Sequence, residues 1–206
     1  MTEDEKLNGI DDTKRIYVQY DKGDKYGNRW YLETPFYINW SRDTVSFFIT
    51  NSGKKGKGMP VVRNKQFYFI KGFCWNLING TRSENDLKFR LTDKSVHDVG
   101  GMKLSVINNT YLSNNYIIAL CNSKLINKYT ESFINFTLNF QMNDARCIPI
   151  IIPTKEQLKY INNIVDNAIE IKKLQFNKSI TEEKANLELQ KIQDKIDKFV
   201  YELYDI

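Results

Sequence analysis

At 206 residues, 41% hydrophobic and 27% charged, the chain has a globular composition and enough length to bury a real core. No apolar run approaches a membrane span, and the acidic, polar N-terminus is unlike a secretory signal, so a cytoplasmic protein with no membrane partner is expected. The net charge of +5 is unevenly spread: residues 13–154 hold 20 basic groups against 10 acidic ones, while residues 1–12 are acidic and residues 155–206 are nearly neutral. Such a basic body is the electrostatic footprint of a nucleic-acid binder.

Residues 1–14 are expected to be a mobile lead-in. Residues 15–153 read as a mixed, β-rich domain of short strands and long loops with a few helices. Strands are predicted over residues 15–20, 36–40, 61–70, 88–91 and 148–152, where β-branched and aromatic residues cluster between Gly, Asn and Asp. The pattern of residues 115–129 predicts the best internal helix, and Asn79-Gly80 predicts a turn. Residues 154–206 change to helical periodicity. Thr154 with Gln157, and Ser179 with Glu182, form capping-box patterns. Ala185, Leu189, Ile192, Ile196, Phe199 and Leu203 then step at heptad spacing. An α+β fold ending in an antiparallel helical hairpin follows. The hairpin is a spacer or docking element, and its seam offers either an intrachain contact or a homodimer.

Residues 51–75 join a glycine-spaced basic loop to an aromatic segment. Lys54, Lys55 and Lys57 stand among Gly53, Gly56 and Gly58, where the backbone is free to approach a ligand. These lysines are the leading candidates for DNA phosphates, followed by Lys22 and Arg29. Arg63, Arg82, Asn139, Gln141, Asn143 and Arg146 are candidates for base edges, since Arg pairs with guanine and Asn or Gln with adenine. If residues 139–143 are extended, their three amides share one strand face.

Other chemistry finds little support. Cys74, Cys121 and Cys147 are widely spaced and lack a CxxC pair, and His97 is the single histidine, so no metal site is expected. Gly53 to Gly58 is not a phosphate-binding P-loop, because Met59-Pro60 follows where Lys-Ser/Thr is needed. Asp86-Leu87-Lys88 is a weak echo of a magnesium-nuclease motif.

Several blocks occur in order: Lys22-Gly23-Asp24, Arg29-Trp30, Arg63-Asn64, Gly72-Phe73-Cys74-Trp75, Asp98-Val99-Gly100, Ala119-Leu120-Cys121-Asn122-Ser123, and Ile148-Pro149-Ile150 up to Pro153. Together they resemble the target recognition region of type IIG restriction–modification enzymes and BREX-type adenine-specific DNA methyltransferases, a TaqI-like specificity domain. The resemblance implies sequence-specific recognition of double-stranded DNA beside a methyltransferase or nuclease catalytic domain or subunit. Those relatives use an Asn/Asp-Pro-Pro-Tyr/Phe loop to hold the target amine, and no Pro-Pro occurs here. The chain is therefore expected to be no enzyme, with S-adenosylmethionine bound only in a separate catalytic domain. The alternative is an assembly subunit that docks through its C-terminal helices onto a catalytic partner.

Overall fold

A computed structural model describes residues 1–11, 13–24, 26–50, 64–78, 87–137 and 139–206. In chain order its elements are helix α1 (Glu3–Asn8), strands β1 (Tyr17–Asp21) and β2 (Tyr37–Asn39), helix α2 (Arg42–Thr50) and a 3-10 turn (Lys65–Phe67). Strands β3 (Gly72–Asn76), β4 (Arg90–Thr92), β5 (Val96–His97) and β6 (Gly101–Leu104) follow. The rest is helical: α3 (Asn114–Asn122), α4 (Lys124–Tyr129) with a π-helical extension (Thr130–Ile134), α5 (Met142–Ala145), α6 (Lys155–Phe176) and α7 (Glu182–Leu203). The architecture is α+β, as the sequence implied, with two three-stranded sheets and C-terminal helices. The chain divides into two compact units, one of residues 1–22, 34–71 and 93–98, the other of residues 23–33, 72–92 and 99–206.

In the first unit β1 is central, antiparallel to β2 and parallel to β5. Strand alternation turns Val18 and Tyr20 toward the core, with Ile38 and Val96, and leaves Tyr17 and Gln19 on the other face. Trp40 is fully buried and packs edge-on against Tyr68 at 5.9 Å and Phe69 at 5.5 Å between ring centres. Its indole N–H donates to the Glu5 carbonyl at 3.2 Å, which fixes α1 over the core. The described part of the strand predicted over residues 61–70 is instead a turn. Tyr68 and Phe69 are consecutive, yet both rings reach Trp40, and a strand would send them to opposite faces. Left-handed Asn64 and Phe69 supply the bends.

In the second unit β3 lies between β4 and β6, all antiparallel. All five β3 residues are buried, and a Cβ on Gly72 would strike the Leu104 carbonyl and Ser105 Oγ. Trp75 stacks on Phe89 at 4.9 Å and donates its indole N–H to the Phe140 carbonyl at 2.9 Å. The helix predicted over residues 115–129 breaks at Ser123, whose extended backbone ends α3 and whose hydroxyl caps α4 by accepting from Ile126 N. The break lets two side chains face the segment before β4. Asn122 accepts from Phe89 N at 2.8 Å and donates to Phe89 O at 2.9 Å, and Asn127 accepts from Leu87 N. These amides occupy the backbone of residues 87–89, so β4 starts only at Arg90 rather than over residues 88–91.

Residues 148–152 form no strand. Pro149 within the segment and Pro153 just after it have no N–H donor, and the Pro149 and Ile151 carbonyls accept from the Tyr204 and Tyr116 hydroxyls, each at 2.5 Å. Thr154 caps α6 through Gln157, as the sequence implied. The cap of α7 is Thr181 rather than Ser179, because left-handed Lys178 first turns the chain out of α6. The helices α6 and α7 run antiparallel, with Tyr160 near the start of one against Phe199 near the end of the other. Ala185 is buried, and Ile192, Ile196 and Phe199 belong to the core of this unit with Leu189 and Leu203 packed against it. The heptad seam is thus covered largely by the chain itself.

Replacing Asn122 with Ala is expected to lower the unfolding free energy by about 1–3 kcal/mol, since it strands the buried N–H of Phe89 and leaves the Phe89 carbonyl with Trp30 N as its remaining donor. Urea titration measures this; a loss under about 0.5 kcal/mol would mean the amide is not a structural latch.

Candidate nucleic-acid interface

The first unit presents one polar and aromatic face. In the β1–β2 ribbon Tyr17 pairs with Asn39 and Gln19 with Tyr37, so the four side chains share one side. Tyr17 and Tyr37 are largely exposed. Lys22 follows at the end of β1, its ammonium 5.6 Å from the Phe36 ring centre and 6.0 Å from that of Tyr20. The rings hold this cation at the surface.

In the second unit, four of the base-edge candidates gather at one exposed turn. Asn139 forms a bridge with Ile78, and Phe140 turns inward. Gln141 N then donates to Asp144 Oδ2 at 2.7 Å, which starts α5. The extended reading of residues 139–143 is therefore wrong: a buried ring and a helix start interrupt the alternation, and the amides do not align on a strand. Arg146 donates to Asn143 Oδ1 at 3.3 Å on the same turn.

The same unit contains an open cleft of about 710 Å³, lined by the loop of residues 26–30, Lys88, Lys172 and one side of α7. Asp24 organises its loop. Its carboxylate accepts from Tyr26 N at 3.0 Å, Asn28 N at 2.5 Å and Asn28 Nδ2 at 2.8 Å. Gly27, at φ +62, closes the turn and leaves room for the Lys88 side chain. Asn28 Oδ1 then accepts from Lys172 Nζ at 2.9 Å, and Gln175 Oε1 accepts from the same ammonium at 2.8 Å. Lys172 is only 8% exposed, and its ammonium lies 4.9 Å from the Phe176 ring centre. Burial pulls its pKa below the ordinary lysine value, against the opposing pull of Asp24 and Glu182.

Arg29 reaches the cleft from its other side. Its guanidinium donates to Gln193 Oε1 at 3.3 Å. Gln193 is fixed in turn, because its amide nitrogen donates to Asn122 O and Asp197 Oδ1, both at 3.0 Å. The cleft has three cations, Arg29, Lys88 and Lys172, and four side-chain amides, Asn28, Asn186, Gln190 and Gln193. Among the described residues no carboxylate lines it. Of these groups the sequence reading named Arg29 as a phosphate contact and Lys88 only within a nuclease-like triplet. Lys172 lies 144 residues from its partner Asn28, a pairing that no local pattern reveals.

Lys54, Lys55, Lys57, Arg63 and Arg82 lie outside the described residues, as do Asn79-Gly80 and Asp86. Among the described residues no His, Cys, Asp or Glu cluster is fit to hold a metal ion, and no helix is long and apolar enough to cross a membrane.

No family model matches the chain. It is similar to the adenine-specific methyltransferase BrxX of Escherichia coli O9:H4 (strain HS), with 31% identity over 150 residues. The match covers 72% of this chain but only 11% of that relative. It agrees with the resemblance to adenine methyltransferases carried by the ordered blocks, without singling out a recognition domain. It also corrects one expectation. The chain was expected to be no enzyme, yet the named relative it resembles is an enzyme, and catalysis is not excluded from this chain.

Gly27→Ala would set a Cβ 2.7 Å from Lys88 Cδ at a left-handed position. We expect a stability loss of about 1–2 kcal/mol in urea titration. A change under about 0.3 kcal/mol would show that the loop and Lys88 yield freely.

Proposed function

We propose that the chain is a duplex-DNA recognition segment of an adenine-methylating enzyme in a restriction–modification or related defence system. The observation that carries this reading is the similarity to an adenine-specific methyltransferase over 150 residues. The excess of positive charge in residues 13–154 supports it, since duplex DNA is a dense polyanion. In this reading residues 15–153 carry most of the contacts. Lys54, Lys55 and Lys57 hold phosphates, joined by Lys22 and Arg29. Arg63, Arg82, Asn139, Gln141, Asn143 and Arg146 are the candidates for base edges. Phosphate contacts set register and base contacts set sequence, so the two groups have separable signatures. The hairpin of residues 154–206 braces the recognition surface and docks it to the rest of the enzyme.

Fluorescence anisotropy of the chain with duplex DNA across a salt series tests this. Affinity is expected to fall steeply with salt, and changing Lys54, Lys55 and Lys57 together to Gln should reduce the log–log slope by about 3. Changing Arg146 to Gln should alter the preferred sequence and leave the slope nearly unchanged. Absence of any duplex binding at low ionic strength would sink the reading.

A further inference from the structure

We infer that the cleft of the second unit is a seat for a phosphate group, with the Arg29 guanidinium and the Lys88 and Lys172 ammonium groups as its cationic wall. Three cationic side chains line one concave surface, and its described lining residues include no acid. An anion entering the cleft meets positive charge on more than one wall. Lys172 is the sharpest case. Its ammonium is buried against two neutral amide oxygens and a ring, and no ion pair forms at it or at Lys88 among the described residues. Asp24 and Glu182 act on it only from a distance, and Asn28 stands between it and Asp24: the Asn28 amide nitrogen donates to that carboxylate at 2.8 Å while its oxygen accepts from Lys172 at 2.9 Å. A buried cation with neutral first neighbours has donor capacity left for an anionic oxygen.

The geometry favours phosphate over a carboxylate. A guanidinium fork binds two oxygens of one phosphate, and the two ammonium groups are point charges for the others. Arg29 is already oriented by Gln193, which is itself held by Asn122 and Asp197. A cleft of about 710 Å³ also leaves room for a sugar and base beside the phosphate. The seat stands on the cleft's own residues. Only its source, a nucleic-acid backbone or a small phosphorylated molecule, depends on the DNA reading.

The test compares the wild-type chain with Lys88→Gln and Arg29→Gln, using Lys159→Gln, an exposed lysine of α6, as control. The Lys88 ammonium makes no hydrogen bond to a described residue, so its replacement leaves the fold intact even if Arg29→Gln does not. Thermal unfolding is followed in inorganic phosphate and in chloride of equal ionic strength. At phosphate concentrations about tenfold above dissociation, wild type and control should gain about 3 °C over Lys88→Gln. This difference removes the general stabilisation that phosphate gives any protein. An equal gain in all variants overturns the seat. Duplex binding then fixes the source. A salt slope lowered by about 0.9 in Lys88→Gln identifies a backbone phosphate. An unchanged slope with the thermal difference intact identifies a small phosphorylated ligand. If wild type binds no duplex at all, the DNA reading fails, and the thermal comparison still decides the seat.

Discussion

Two side-chain amides take the place of a β-strand in the second unit. The backbone of residues 87–89 runs beside α3 and α4, where Asn122 satisfies both the N–H and the carbonyl of Phe89 and Asn127 accepts from Leu87 N. Buried backbone groups left unpaired are costly, so this segment is extended beside the helices only while both amides are in place. Much follows from the contact. Ser123 breaks the helix so that the two asparagines face the same segment. Phe89 is then held against Trp75, and Trp30 N donates to the Phe89 carbonyl at 3.0 Å. The Asn122 carbonyl receives Gln193, and Gln193 orients Arg29 in the cleft. A packing constraint in the core therefore reaches the cationic wall through three residues.

The blocks that resemble methyltransferase recognition regions turn out to be mostly architectural. Asn122 and Ser123, in the block of residues 119–123, are the latch and the helix break. Trp75 ends the block of residues 72–75 as the centre of the aromatic core. In residues 22–24, a Cβ on Gly23 would lie 2.8 Å from the Gly100 carbonyl, and Asp24 organises the loop behind Arg29. Trp30 is buried at a left-handed position next to Arg29. Residues that must bury and hydrogen-bond in one geometry tolerate few substitutions, so they carry a resemblance well. Surfaces that contact a variable target have no such constraint.

This division explains what the sequence made legible. Both C-terminal helices, the cap at Thr154 and the strands near residues 17–21 and 37–39 were readable because their signals are local and periodic. The turn at residues 64–69 was not, because consecutive aromatic residues look like strand while their destination, Trp40, is more than twenty residues away. Residues 148–152 misled for a related reason. Their isoleucines suit a strand, but the carbonyls of Pro149 and Ile151 were already taken by tyrosine hydroxyls. At the candidate site Arg29 was legible from its block, whereas Lys88 read as part of a nuclease triplet and Lys172 as one of nine lysines on nearly neutral helices.

Lys172 shows why charge counted along a sequence understates a site. The C-terminal helices carry no net positive charge, yet α6 places one ammonium in the cleft and α7 lines it with Asn186, Gln190 and Gln193 rather than acids. Burial depresses the pKa of Lys172, while Asp24 and Glu182 raise it and Arg29 and Lys88 share its cleft. A lysine whose native pKa lies below its unfolded value binds fewer protons when folded. Its contribution therefore destabilises the fold at neutral pH, and stability recovers as pH rises from the native value toward 10.5. A phosphate in the cleft would reverse the balance by favouring the charged form, which raises the native pKa and narrows that window. The cost of burying this ammonium is present whether or not an anion is bound, whereas the compensation arrives only with the anion. The preorganised cation is thus a source of binding free energy held in the folded chain.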